Sequence, residues 1–159
     1  MSFLAKFRLI FSVSVLSIIL DQASKWWASS YLDHFSMHSY LADTIRIGYV
    51  ENTGAFLGLG SGMSDSAKFW IFVAAVGVVL LALLVFMFKS QQQNTYSLVS
   101  LALIFSGGLS NFYDRAMNNG AVVDFLNVGI ASFRTGIFNV ADMAIMLGVL
   151  MLLFAKNKN

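Results

Sequence analysis

The twenty residues FWIFVAAVGVVLLALLVFMF, Phe69 to Phe88, contain no charge and are bounded by Lys68 and Lys89. A helix needs about 20 mainly apolar residues to cross a bilayer, so this stretch reads as a membrane span. Working outward, residues 96–113 form a second such run, which ends in the polar cluster Asn111, Asp114 and Arg115. Residues 137–154 form a third, with one acid, Asp142, near its start. A fourth runs from about residue 9 to 27 and carries Asp21 and Lys25 near its end. Lys6 and Arg8 before that run resemble the start of a secretory signal. No small-residue cleavage site follows, however, and Trp26-Trp27 suit an interfacial anchor. Four spans place both termini on one side.

Composition agrees with that reading. Of 159 residues, 58% are hydrophobic and 11% charged, and the mean hydropathy is +0.74. Soluble chains run near ~45–50% and ~25%, so a water-facing globular enzyme and a disordered chain are both excluded. The chain has no cysteine and two histidines, which removes disulfides, thiolate chemistry and most zinc sites. Net charge is +2, but the basic residues are scattered and form no nucleic-acid patch.

The charges orient the spans. Lys6, Arg8, Lys89, Lys156 and Lys158 occupy the two tails and the loop between spans two and three, with no acid among them. That side carries +5. The remaining five basic residues and all eight acids give −3 for the rest of the chain. Lys and Arg concentrate on the cytoplasmic side, so the termini are expected there. The outer connections are then residues 28–67 and 115–136. Within the first, residues 44–50 alternate as a strand does, and Asn52-Thr53-Gly54 makes a turn. The second is shorter and mixed, and suits a helix or irregular segment at the interface. No internal repeat is evident, which argues against an inverted-repeat transporter.

Ionisable side chains in spans are costly and mark function by default. Asp21 and Lys25 stand four apart, share a helix face and are expected to pair. The Gly107-Gly108-Leu109-Ser110-Asn111 block lets helices approach closely, and Asp114-Arg115 beyond it reads as a helix-end ion pair. Asn52 and Asn139 stand where capping is expected. His34 and His38 have the i, i+4 spacing of a metal pair, but they lack a third ligand and read as surface residues. Asp124 and Asp142 differ from all of these. Each has apolar neighbours and no basic residue within four positions. If they face one another they form a carboxyl pair able to activate water; if not, they are two separate hydrated acids. Spacing alone leaves both readings open.

Five blocks, taken together, resemble the signal peptidase II (lipoprotein signal peptidase) family of bacterial aspartic peptidases. They are Asp21-Gln22-Ala23-Ser24-Lys25, Glu51-Asn52-Thr53-Gly54-Ala55-Phe56, residues 107–115, Gly120-Ala121-Val122-Val123-Asp124-Phe125, and Phe138-Asn139-Val140-Ala141-Asp142. They stand in the family's order across nearly the whole chain. Two departures are visible: one alanine fewer before the aromatic of the second block, and Ser106 and Ser110 where glycine is usual. The resemblance implies a mainly α membrane protein of four transmembrane helices, with a small extracytoplasmic β-sheet and a surface amphipathic helix, as one peptidase domain over residues 1–159.

It further implies Asp124 and Asp142 as the catalytic pair, without metal or cofactor. Asp21, Lys25, Asn52, Gly54, Gly108, Asn111, Asp114, Arg115, Val122, Asn139 and Ala141 are expected to bind substrate or support the pair. The implied substrate is a diacylglyceryl-modified prolipoprotein, cut before its lipidated cysteine at the outer face, with membrane lipid and no obligate protein partner. The family is also the target of globomycin. Two rival readings stay open. One is a proton- or ion-coupled carrier using Asp21, Asp124 and Asp142 as a relay, although no acid lies near the cytoplasmic ends. The other is a non-catalytic lipopeptide-binding paralogue.

Overall fold

A computed structural model describes residues 1–34, 36–54, 60, 62–90 and 94–155. Ala55, Phe56, Lys156 and Lys158, used in the sequence reading, lie outside the described residues. Helix α1 spans Phe3–Tyr31. The Ser2 hydroxyl caps it by accepting from the Ala5 amide at 3.3 Å. Its buried residues are Lys6, Ile10, Ser14, Ser17, Asp21, Lys25 and Ala28, three or four apart, so they form one stripe. That stripe is largely polar, while Phe11, Leu16, Ile19 and Leu20 are exposed. An apolar outside around a polar seam is what a lipid solvent demands.

The second span comprises α2 (Asp65–Lys68), a π-helical stretch (Phe69–Ala75) and α3 (Val76–Lys89). Helix α4 (Thr95–Met117) packs against α1, α3 and α5. Helix α5 runs Val140–Leu153. The helices Phe3–Tyr31, Ser66–Lys89 and Thr95–Met117 are each long and apolar enough to cross a membrane. The fourth run begins at Val140 rather than residue 137, because Phe138 bridges to Leu126 of the sheet and Asn139 caps the helix. Its 14 residues rise roughly 21 Å.

Close packing of α4 on α5 depends on glycine. A Cβ on Gly107 would lie 2.4 Å from the Ala141 carbonyl oxygen, and one on Gly148 would lie 2.5 Å from that of Ser100. At the end of the bundle near the termini, Ile10, Met87, Leu98, Leu101 and Ala102 form an apolar cluster. There the Lys6 ammonium donates to the Ser90 carbonyl at the end of α3. The polar residues gather at the opposite end, under the sheet.

The sheet is antiparallel, in the order β1 (His38–Tyr40), β2 (Ile45–Asn52), β3 (Val122–Ile130), β4 (Phe133–Arg134). Strand β2 matches the alternation read at residues 44–50 and extends past it. The expectation for residues 115–136 is corrected. Arg115–Met117 finish α4, Asn119 takes a left-handed φ of 51°, and the Gly120 amide donates to the Arg115 carbonyl at 2.9 Å. This left-handed closure ends the helix and turns the chain into β3, so half of the segment is strand. The β-branched run from Val122 is the reason. Among the described residues no amphipathic surface helix is present. Between Ile47 and Val50 the β2–β3 register shifts, so Val50 faces Asp124 and Asn52 faces Val122. The irregularity falls at Gly48, where a Cβ would lie 2.5 Å from the Ser36 carbonyl oxygen.

Candidate active site

Asp124 comes from β3 and Asp142 from the first turn of α5, and one residue, Asn139, holds both. Asn139 is the N-cap of α5: its side-chain oxygen accepts from the Asp142 amide at 2.9 Å, and its own amide donates to Asp142 Oδ2 at 3.3 Å. This reciprocal capping box satisfies two of the helix's orphan N–H groups. The Asn139 side-chain nitrogen meanwhile donates to Asp124 Oδ1 at 2.7 Å. The capping expected of Asn139 is therefore present, and its free amide end also reaches across to β3.

The other carboxylate oxygens are also engaged. Asn52 Nδ2 donates to Asp124 Oδ2 at 2.8 Å, and Asn111 Nδ2 donates to Asp142 Oδ1 at 2.9 Å. Asn52 is aimed by its other end, whose oxygen accepts from the Gly54 amide at 2.9 Å, an Asx-type turn. Asp124 is 2% exposed. Burial pushes its carboxyl up to about 6; the charge of Asp142 adds to that, and the Asn52 and Asn139 amides oppose it.

Behind the pair lies a charged layer organised by Lys25. Asp21 and Lys25 pair at 2.6 Å, as their spacing led one to expect, and Lys25 also meets Asp114 at 2.6 Å. The Lys25 ammonium donates to Asn111 Oδ1 at 2.8 Å, which also accepts from Asn139 Nδ2 at 3.2 Å. Asn111 therefore joins the cation to Asn139, and each of these two amides grips one carboxyl of the pair. Asp21 ties α1 to α5 through the Ala141 amide, 2.7 Å from Oδ1. All three charged groups are buried, where loss of one partner is costly.

The expected Asp114–Arg115 ion pair is not what the structure shows. Consecutive helical residues point about 100° apart, so Asp114 turns to Lys25 of α1 and Arg115 turns away. The Arg115 guanidinium donates to the Gly54 carbonyl at 2.7 Å and lies over the Phe72 ring, 5.6 Å from its centroid. A cleft of about 310 Å³ opens beside Asp142, with Phe72, Val76, Gly108, Asn111 and Arg115 among its walls. Val122 and Ala141 are buried backbone neighbours of the site rather than cleft walls. His34 and His38 lie apart from it: His34 stacks on Tyr49 with ring centroids 4.0 Å apart, and His38 begins β1.

Three residues here escaped the sequence reading. Ser110 donates to Asp21 Oδ2 at 2.7 Å, and Gln22 donates to Ser110 Oγ and to Asp114 Oδ1, each at 2.9 Å. Ser110, read only as part of a small-residue block and as a departure from glycine, thus binds the buried carboxylate. The signal was a hydroxyl in a small-residue block facing a helix with an acid. Phe72 offered no signal within an apolar span.

The family model for signal peptidase (SPase) II matches residues 13–157. The lipoprotein signal peptidase of Staphylococcus haemolyticus (strain JCSC1435) is 32% identical over 147 residues, covering 92% of this chain and 89% of that protein. That of Staphylococcus aureus (strain MRSA252) is 31% identical over 147 residues, covering 92% and 86%. A bacterial membrane enzyme solved by the in meso method at 2.3 Å superposes with a TM-score of 0.79 at 28% identity, over 94% of this chain and 93% of that one. Fold, order of motifs and relatedness along nearly the whole chain agree, and the chain belongs to the signal peptidase II family.

Proposed function

We propose that this membrane peptidase removes the signal peptide from diacylglyceryl-modified bacterial prolipoproteins, with Asp124 and Asp142 as its catalytic pair. The observation that carries the reading is the single residue Asn139, whose backbone and side-chain nitrogens hold one carboxyl each. A pair held in common, with Asp124 buried and Asp142 partly so, can share one proton. The ionised member takes a proton from water, and the hydroxide so formed attacks the carbonyl carbon of the bond before the lipidated cysteine. The protonated member donates to the carbonyl oxygen and, as the tetrahedral intermediate collapses, a proton reaches the departing amine. The two carboxyls titrate as a unit.

Asn52, Asn111 and Asn139 fix the carboxyl geometry, while Lys25, Asp21 and Asp114 hold Asn111 and the helix ends. Arg115, Gly54 and Gly108 line or border the path of the peptide, and Val122 and Ala141 shape it from behind. The whole chain acts as one membrane-embedded domain with α5 as a fourth, short span. Its termini face the cytoplasm and its site faces the outer side of the inner membrane. The +5 charge of the tails and second loop supports that orientation, as does the gathering of polar residues at the far end. The lipid of the substrate stays among the helices, so only the peptide meets the polar site. The test is cleavage of a lipidated precursor beside its unlipidated form: cleavage of the lipidated form alone is expected, and equal cleavage of both, or of neither, contradicts the reading.

A further inference from the structure

We propose that a groove on the outer face of α5 is a subsite for one acyl chain of the substrate's diacylglyceryl group, with Met146 as the ridge that the chain crosses on leaving the catalytic cleft. The proposal rests on the peptidase reading above. The groove holds about 420 Å³, and is walled on one side by Thr135, Gly136 and Phe138 of the β4–α5 connection. The other wall is a stripe of α5: Met143, Met146, Leu147 and Leu150. These four stand at i, i+3, i+4 and i+7, one helix face, and each is about half exposed. The connection therefore runs alongside the helix and covers part of a face that otherwise meets lipid.

Thr135 and Phe138 of the covering wall have their polar groups paired away from the groove. The Thr135 amide donates to the Val128 carbonyl at 2.8 Å, and its hydroxyl accepts from the Val128 amide at 3.0 Å. The Thr135 carbonyl accepts from Asn127 Nδ2 at 2.6 Å. Phe138 exchanges both its backbone groups with Leu126, at 2.8 and 2.9 Å. Backbone satisfied in this way can face hydrocarbon. An extended peptide would find few hydrogen-bonding partners here, whereas an alkyl chain needs none.

Continuity with the catalytic cleft selects the source of that chain. Met146 lines both the groove and the cleft that contains Asp142. It stands four residues beyond Asp142, roughly 6 Å along the helix axis. A chain tethered to the residue being cut is thus delivered one helical turn from the groove, at a high effective concentration compared with free lipid. The unbranched thioether of Met146 adapts to a chain passing over it. One acyl chain crosses Met146 into the groove, and the other remains on the cleft side.

The test compares diacyl and monoacyl forms of one lipopeptide, reading the ratio of their kcat/KM values. Leu147→Trp and Leu150→Trp fill the groove, and Leu153→Trp, on the same helix beyond it, is the control. The wild-type protein should favour the diacyl form. Each groove variant should reduce that preference at least tenfold through KM, the effect of withdrawing about two methylene groups from apolar contact. The control should leave the ratio unchanged. An unaltered ratio in both groove variants, or an equal fall in Leu153→Trp, overturns the proposal.

A second measurement separates substrate from bulk lipid without turnover. In Asp124→Asn protein, a photoreactive acyl terminus on the diacyl lipopeptide should label residues 135–150. The same probe on a phospholipid should be displaced by excess lipopeptide. Undisplaced phospholipid labelling assigns the groove to membrane lipid and overturns the proposal. Cleavage of neither lipopeptide by wild-type protein refutes the peptidase reading instead, and the substrate assignment falls with it.

Discussion

Replacing Asp124 by asparagine should change how the protein's stability depends on pH, by an amount that follows from the site. Burial, with the charge of Asp142, pushes the Asp124 carboxyl from 3.8 up to about 6. In the unfolded chain it returns to about 3.9. Between those values the folded protein binds a proton that the unfolded chain does not. Its contribution to stability is therefore full below about pH 4 and is lost as pH rises through 6. Two pKa units at ~1.36 kcal/mol each amount to about 3 kcal/mol. Asparagine titrates nowhere, so the variant lacks this dependence. It also turns an NH₂ group toward one of the two amides that donate to the carboxylate. That cost, roughly 1–3 kcal/mol, is the same at every pH and cancels from the comparison. Unfolding free energies of both proteins, measured by reversible SDS titration in mixed micelles, should differ by a margin that shifts about 3 kcal/mol between pH 4 and pH 8. The wild type loses ground as pH rises. A constant margin, or a wild type that gains ground with pH, would refute the reasoning.

Three further outcomes are expected. The pH–rate profile on lipidated substrate should be a bell, since one carboxyl must be ionised and its partner not, and its upper limb should lie well above an ordinary carboxyl because Asp124 is pushed up to about 6; EDTA should leave it unchanged, and a metal-restored loss would bring His34 and His38 back into question. Asp21→Asn removes one of the two acids holding buried Lys25, so its unfolding free energy should fall by on the order of 3 kcal/mol; an unchanged SDS midpoint would contradict that role. Single cysteines in this cysteine-free chain should label with an impermeant thiol reagent in intact cells at position 40 and not at 158, and the reverse pattern would invert the topology.

Much of the architecture was legible because the bilayer imposes length and hydropathy on each span. Residues 69–88, 96–113 and 9–27 all fall within observed helices for that reason, and Asp21 with Lys25 was legible because i, i+4 pairing is local. The strand at residues 122–130 was misread as helix or irregular chain, since its partner, β2, lies some seventy residues away and only pairing reveals it. The start of α5 was placed at residue 137 because Ile137 and Phe138 are apolar; their apolarity serves the sheet, through the Phe138–Leu126 bridge. Asn139 was legible as a cap, a local role. Its grip on Asp124 needs β3 and α5 to meet, which local sequence does not encode. Ser110 and Gln22 were missed on the same ground, since their partners lie on the facing helix.

The central claim is that Asp124 and Asp142 together hydrolyse the peptide bond, and cleavage by Asp124→Asn and Asp142→Asn tests it most directly. Each protein should be assayed on a lipidated precursor, with substrate binding measured in parallel. Asparagine keeps the shape of the side chain and cannot pass a proton, so each variant should lose about three or more decades of activity while still inserting in the membrane and binding the precursor. Substantial cleavage by either variant would contradict the account.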